Sequence, residues 1–241
     1  MNKLRISILF LFCGLFLQVY GIPIKIGEFN EGACDFELVN NNLVSANQFE
    51  LRIHDISDPA TPQLIGNYVI DQNNCDTRCY SLCSDGNRIY LLNHIYDFEG
   101  NIVESEFLIL DISNPEEISL SGRQSFSGEA NSIACLGNNV YVTFASYLKG
   151  YDTTDPEQIM NICNLVIDGA YNINIYGNYA YVCCKENGML IFSLENPANP
   201  VLLSSYGNGY KMYYAHVNDN VAYICNSNNG TIILDVDDPE N

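Results

Sequence analysis

Residues 51–68 read LRIHDISDPATPQLIGNY, and much of that phrase returns four times: LILDISNPEEISLSG at 108–122, LKGYDTTDPEQIMNICNL at 148–165, LIFSLENPANPVLLSSY at 190–206 and IILDVDDPEN at 232–241. With the acidic position of the phrase as a ruler, the copies fall at Asp55, Asp111, Asp152, Ser193 and Asp235, at intervals of 56, 41, 41 and 42 residues. A period of about 42 is the spacing of four-stranded propeller blades. The third unit displays its strands openly as NSIACL, NNVYVTFA, SYLKGYD and QIMNICNLV, rich in β-branched and aromatic residues with turns between them.

The turn chemistry agrees with this reading. Asn187-Gly188 and Asn229-Gly230 stand where a second strand reverses into a third, and Asn-Gly suits the positive φ of a tight hairpin. Asn229-Gly230-Thr231 also fits a glycosylation acceptor, but the hairpin accounts for its first two residues. The DP or NP step after each third strand makes the next turn, because Asp or Asn bonds back to the backbone and Pro presets φ. The ruler aspartates are therefore expected to be turn residues. PIKIGEF at 23–29 matches PQLIGNY at 62–68 in residue type, with Gly27 over Gly66 and Phe29 over Tyr68. Residues 22–241 are accordingly expected to form one all-β domain, a five-bladed β-propeller of four-stranded blades. The N-terminal strand should supply the last blade's fourth strand and leave no open edge.

The units resemble LVIVD repeats. The residues that carry the likeness include Ala180-Tyr181-Val182, Asn187-Gly188, Ala222-Tyr223-Ile224 and DISDPATP at 55–62. The resemblance implies a β-propeller of an extracytoplasmic type. It implies no shared catalytic residue, because its signature consists of strand and turn positions. Ser193 at the ruler site, and Ile118 and Ile159 in place of the second Pro, depart from the pattern.

Only the second unit is long. Its excess falls into two insertions, about five residues within 71–78 and about ten within 94–106. In an up-and-down blade both lie on the face opposite the DP turns. Loops that break a repeat on one face are a usual place for recognition. Asp71, Asn73, Asp76, His94, Tyr96, Asp97, Phe98 and Glu99 are the candidate ligand-binding residues, offering aromatic platforms and hydrogen-bonding groups to a sugar or a basic peptide.

Composition sets further bounds. The net charge of −19 disfavours nucleic acid and anionic lipid as partners. The opening MNKLRISILFLFCGLFLQVYG carries Lys3 and Arg5 before an apolar stretch shorter than the ~20 residues of a membrane span. Residues 1–21 are read as a secretory signal peptide, cleaved after Gly21. The protein is then expected to be secreted, periplasmic or on the cell surface, with no membrane insertion after cleavage. Of ten cysteines, nine lie beyond this leader. Export makes disulfides plausible, the odd number leaves a thiol over, and the spacing does not fix connectivity.

No GxSxG elbow, P-loop, HExxH helix or EF-hand loop is present, so no cofactor or metal is expected. His54 is read as a side chain on a blade surface. The first strands, which line the channel, place Glu37, Cys83, Ala134, Asn174 and His216 in one row. Asp35, Ser81, Ser132, Asn172 and Tyr214 form the row before it. Asp35, Glu37 and His216 would be the catalytic groups of a glycan-active hydrolase. The two acids share a strand and have no acid across the channel, whereas glycosidases need carboxylates flanking the scissile bond. The row therefore reads better as polar residues satisfying one another. The function expected is a non-enzymatic binding module for an extracellular protein or glycan. The alternatives are that hydrolase, or a structural surface protein without a specific ligand.

Overall fold

The computed structural model describes residues 33–70, 76–227 and 230–240. Blade one comprises β1 (Asp35–Val39), β2 (Asn42–Ala46), β3 (Glu50–Asp55) and β4 (Gln63–Val69), and blade two β5 (Asp76–Asp85), β6 (Arg88–Tyr96), β7 (Ile102–Asp111) and β8 (Ser119–Ser127). Blade three is β9 (Ala130–Leu136), β10 (Asn139–Phe144), β11 (Tyr147–Asp152) and β12 (Met160–Val166). Blade four is β13 (Asn172–Tyr176), β14 (Tyr179–Cys183), β15 (Met189–Ser193) and β16 (Val201–Tyr206). Blade five contributes β17 (Met212–Asn218), β18 (Val221–Asn226) and β19 (Gly230–Asp235). Each sheet is an antiparallel meander in chain order, and together they make a five-bladed β-propeller. The expected leader at 1–21 and the expected closing strand at 23–29 lie outside the described residues.

The cores lie between blades. One apolar cluster joins blades one and two around Val44, Leu51, Ile89 and Leu108; others join two to three, three to four and four to five. A second strand sandwiched between two neighbours is buried on both faces, so VYVTF and YAYVC read as almost unbroken apolar runs. Tyr90, Tyr141 and Tyr181 occupy the same place in their strands and are fully buried. The Tyr90 hydroxyl shares a 2.9 Å hydrogen bond with Thr153 Oγ1, and Tyr141 donates to the Pro197 carbonyl at 3.2 Å. Tyr90 and Tyr141 therefore strut their own blades to the turn of the next.

The repeated phrase folds as expected, as two successive side-chain-capped turns. Asp55, Asp111 and Asp152 each accept the backbone N–H two residues on at 2.8 Å, and Asp235 does so at 3.0 Å. Ser193 makes the same bond through its hydroxyl at 3.3 Å, which explains its tolerance there. Three residues later Asp58, Asn114, Asp155, Asn196 and Asp238 repeat the device. These ten side chains shape turns.

The turn so shaped docks on the preceding blade. A Cβ on Gly66 would stand 1.7 Å from the Pro115 carbonyl oxygen, and one on Gly122 2.2 Å from that of Pro156. Blade four has Ser204 at the matching place, and its hydroxyl donates to the Pro239 carbonyl at 2.6 Å. Blade three exchanges volumes: Cys163 fills the fourth-strand position, and opposite it Gly150 replaces the Ile of the other blades. His54, expected on a surface, is instead buried at 3 % exposure, on the side of β3 opposite Leu51 and Ile53, which face blade two.

Gly66→Ala should cost about 3 kcal/mol in urea unfolding, the upper end for overpacking, since the added methyl meets backbone that cannot step aside. Ser204→Ala, which only removes one hydrogen bond, should cost about 1 kcal/mol. Equal losses would show that the glycine contact is not the tight one.

Candidate functional site

The two blade-two insertions meet. Asp76, Thr77 and Arg78 extend β5 and pair with Tyr96, Ile95 and His94 of β6, while β6 and β7 run on together to Tyr96 and Ile102. The excess expected as loops is thus largely strand, because residues added to both arms of a hairpin continue its ladder. The reversal occupies 97–101. Asp97 Oδ1 accepts the N–H groups of Glu99 and Asn101 at 2.9 Å each, which holds the carboxyl below its usual pKa, and Gly100 supplies φ +84°. Phe98 at the tip is 103 % exposed, and Val103 on the returning strand is 50 % exposed.

Of the expected binding residues, Asp76, Tyr96, Asp97, Phe98 and Glu99 lie on this arm. Asp76 pairs with Arg78, whose guanidinium lies 4.6 Å from the Tyr96 ring centre. His94 does not face outward: it is buried, bonds the Ala130 carbonyl through Nε2 at 2.7 Å and stacks on Tyr80 at 4.3 Å. Its place in β6 turns it towards blade three, so it ties the arm to the centre of the ring. Asp71 and Asn73 fall outside the described residues.

That centre brings Tyr214, already placed in a channel row, together with Tyr80, Tyr171 and Tyr213, which the sequence did not single out. At the start of the first strand a β-bulge interrupts pairing between Cys79 and Ser81, between Ala130 and Ser132, and between Met212 and Tyr214. The extra residues are Tyr80, Asn131 and Tyr213. Tyr171 stands at the matching point of blade four, its N–H bonded to the Cys183 carbonyl at 2.9 Å. Bulges re-aim side chains; here Asn131 turns to the Ala170 carbonyl at 3.0 Å, while Tyr80 stacks on His94 and Tyr213 meets Tyr171. Tyr80 and Tyr214 both couple electrostatically to Tyr171, so phenols from blades two, four and five stand close together at the axis. Tyr171 also packs edge-on against Tyr213 at 5.5 Å and Tyr214 at 5.6 Å. Burial pushes the Tyr214 hydroxyl up to about 12. A recurring tripeptide could have signalled the cluster: Cys79-Tyr80-Ser81, Ala130-Asn131-Ser132 and Ala170-Tyr171-Asn172.

Deeper in, the polar rows bind blade to blade. Asp35 Oδ2 accepts from Ser81 Oγ at 3.0 Å and from the Leu82 N–H at 2.9 Å. Ser132 Oγ accepts from the Ile173 N–H at 3.4 Å, and Asn172 and Asn174 accept from the Ala215 and Val217 N–H groups at 3.1 and 3.0 Å. Every acceptor satisfies a donor on the open edge of the next blade's first strand. Burial raises the Asp35 carboxyl despite its hydrogen bonds. Glu37 is pushed up to about 7, by burial first and then by the Asp35 charge, against a hydrogen bond from Ser84. His216 is exposed to the channel, with its pKa lowered by the partial burial that the channel imposes. Among the described residues no group of three or more His, Cys, Asp or Glu is placed to hold a metal ion, no helix is long and apolar enough to cross a membrane, and the eight cysteines are thiols.

A carboxyl whose folded pKa exceeds its unfolded value binds its proton more tightly when folded, so its contribution to stability falls as pH rises from 4.5 towards 7. Wild type should lose about 2–3 kcal/mol between pH 5 and pH 8 that Glu37→Gln does not. Parallel pH–stability curves would show Glu37 to be solvated.

The comparisons with known proteins fit this architecture. The family model described as LVIVD repeat matches residues 43–70, 102–125, 169–208 and 215–241. No curated protein matches the chain. Among solved structures, the computationally designed protein Ika8 is similar in fold, with a TM-score of 0.59 at 12 % identity over 88 % of this chain. The aligned region covers 61 % of the Ika8 chain. The protein is thus a five-bladed β-propeller built of LVIVD repeats.

Proposed function

We propose that the protein is a non-enzymatic binding or interaction module, a use the repeat propeller suits, exported by residues 1–21 and presented as a secreted or surface protein. It holds an extracellular protein or glycan on the face that carries the blade-two arm and the tyrosine-covered mouth. The observation that carries this reading is the arm itself. Two separate insertions pair in register to raise one rigid hairpin, and its tip presents a fully exposed Phe98. A large apolar ring held in water on an ordered turn contributes nothing to the core, whereas a partner that buries it gains contact area. His94 and Tyr80 link the arm to the mouth, so the two form one surface.

One observation favours the hydrolase reading: a Glu37 carboxyl near 7 suits a general acid. Against it, Asp35 is occupied in joining blade two and shares a strand with Glu37.

A panel of glycans and of extracellular proteins should be tested for retention, with new reducing ends recorded in the same samples. Retention without cleavage is expected. Phe98→Ala with Val103→Ser should weaken it about tenfold while leaving the melting temperature unchanged, because both side chains are exposed. Cleavage abolished by Glu37→Gln would establish the hydrolase instead, and no retention of any kind would leave the structural role.

A further inference from the structure

The hairpin face repeatedly seats cations on aromatic rings. Arg78 lies over Tyr96 at 4.6 Å, Lys149 over Phe144 and Tyr147 at 5.3 and 5.1 Å, and Lys185 over Tyr171 at 4.9 Å. These pairs come from blades two, three and four in a chain whose net charge is −19. The mouth continues the pattern with more rings than internal cations. Tyr214 is half exposed beside Tyr171, and the Asp35 carboxylate acts on Tyr214 as that of Glu129 does on Tyr80. Phenol rings present negative π faces, phenol oxygens present lone pairs, and flanking carboxylates add charge; this combination attracts an ammonium or guanidinium group.

The opposite face is acidic but built differently. Its ruler carboxylates, Asp55, Asp111, Asp152 and Asp235, already accept backbone N–H groups. A cation drawn there would meet diffuse charge, whereas one at the mouth meets rings as well.

We propose that the channel mouth is a cation-accepting aromatic site, in which Tyr214, Tyr171 and Tyr80 receive a lysine or arginine side chain from a basic segment of a partner protein. This rests on the hairpin face being the binding face, and it selects a basic protein over a neutral glycan. Lys185 is an internal competitor: its ammonium covers Tyr171 and repels a second cation, so the partner's group enters over Tyr214.

The test uses the full chain with tetramethylammonium chloride as probe, followed through its methyl proton resonance, and with tert-butanol as a neutral probe of similar bulk. The methyl resonance of tetramethylammonium should move upfield through ring currents, and that of tert-butanol should not. Tyr214→Leu and Tyr171→Leu, which leave the charge unchanged, should each weaken binding about fivefold. Lys185→Met should strengthen it severalfold, a gain that damage to the fold would not produce. A hexalysine peptide should compete with the probe, and added salt should weaken both. Binding indifferent to the two tyrosines would place the cation on the acidic turn face and overturn the proposal. An equal response to tert-butanol, or none to tetramethylammonium, would do the same. Glycan retention that tetramethylammonium does not disturb would remove this inference and leave the hairpin face as the binding face; loss of all retention there would remove both.

Discussion

Five small sheets arranged round an axis each leave one strand edge without a partner, and the fold depends on satisfying those edges. The N–H groups of Leu82, Ile173, Ala215 and Val217 point out of their own sheets. Without acceptors each would be a partly buried donor, at a cost of about 1–3 kcal/mol. Asp35, Ser132, Asn172 and Asn174 supply the acceptors from the preceding blade. Channel polarity thus follows from the geometry of the ring, and a row of polar side chains round the axis is no sign of catalysis by itself.

At the rim the same joining is done with backbone. The Asp-x-x-Asp/Asn-Pro turn is held in shape by its own side chains, so a Pro carbonyl projects at a fixed place towards the preceding blade. Gly66 and Gly122 admit it by lacking a Cβ, and Ser204 admits it by donating a hydrogen bond. Where blade three carries the larger Cys163, the opposite residue has shrunk to Gly150. The repeated phrase is thereby an interface between units as well as a turn within one.

The candidate surface uses what this framework leaves free. Bulges at the first strands re-aim Tyr80, Asn131 and Tyr213 without disturbing the edge bonds one residue further on. Lengthening two neighbouring strands of blade two raises a stiff arm beside that mouth, because each added residue gains a ladder partner. Burial of His94 between blades two and three then connects the arm to the centre.

Blade count, strand order, the turn role of the ruler residues and the place of the irregular blade were all legible in the chain's residues. All of these are written in short-range patterns: period-two alternation, Asx-Pro turn chemistry and the spacing of copies. Even the convergence of the two insertions followed, since strand parity puts both on one face. Which side chains remain available there depends on packing between blades. His54 and His94 are buried by packing beyond their own strands, and no local pattern reports a neighbour such as Ala130, 36 residues from His94. Tyr80, Tyr171 and Tyr214 form one cluster only because ring closure brings blades two, four and five to a common axis. Tyr214 stands in a channel row visible in the sequence, but Tyr80 is the extra residue of a bulge and Tyr171 precedes its strand, so the alternation that found the strands does not show these two meeting it.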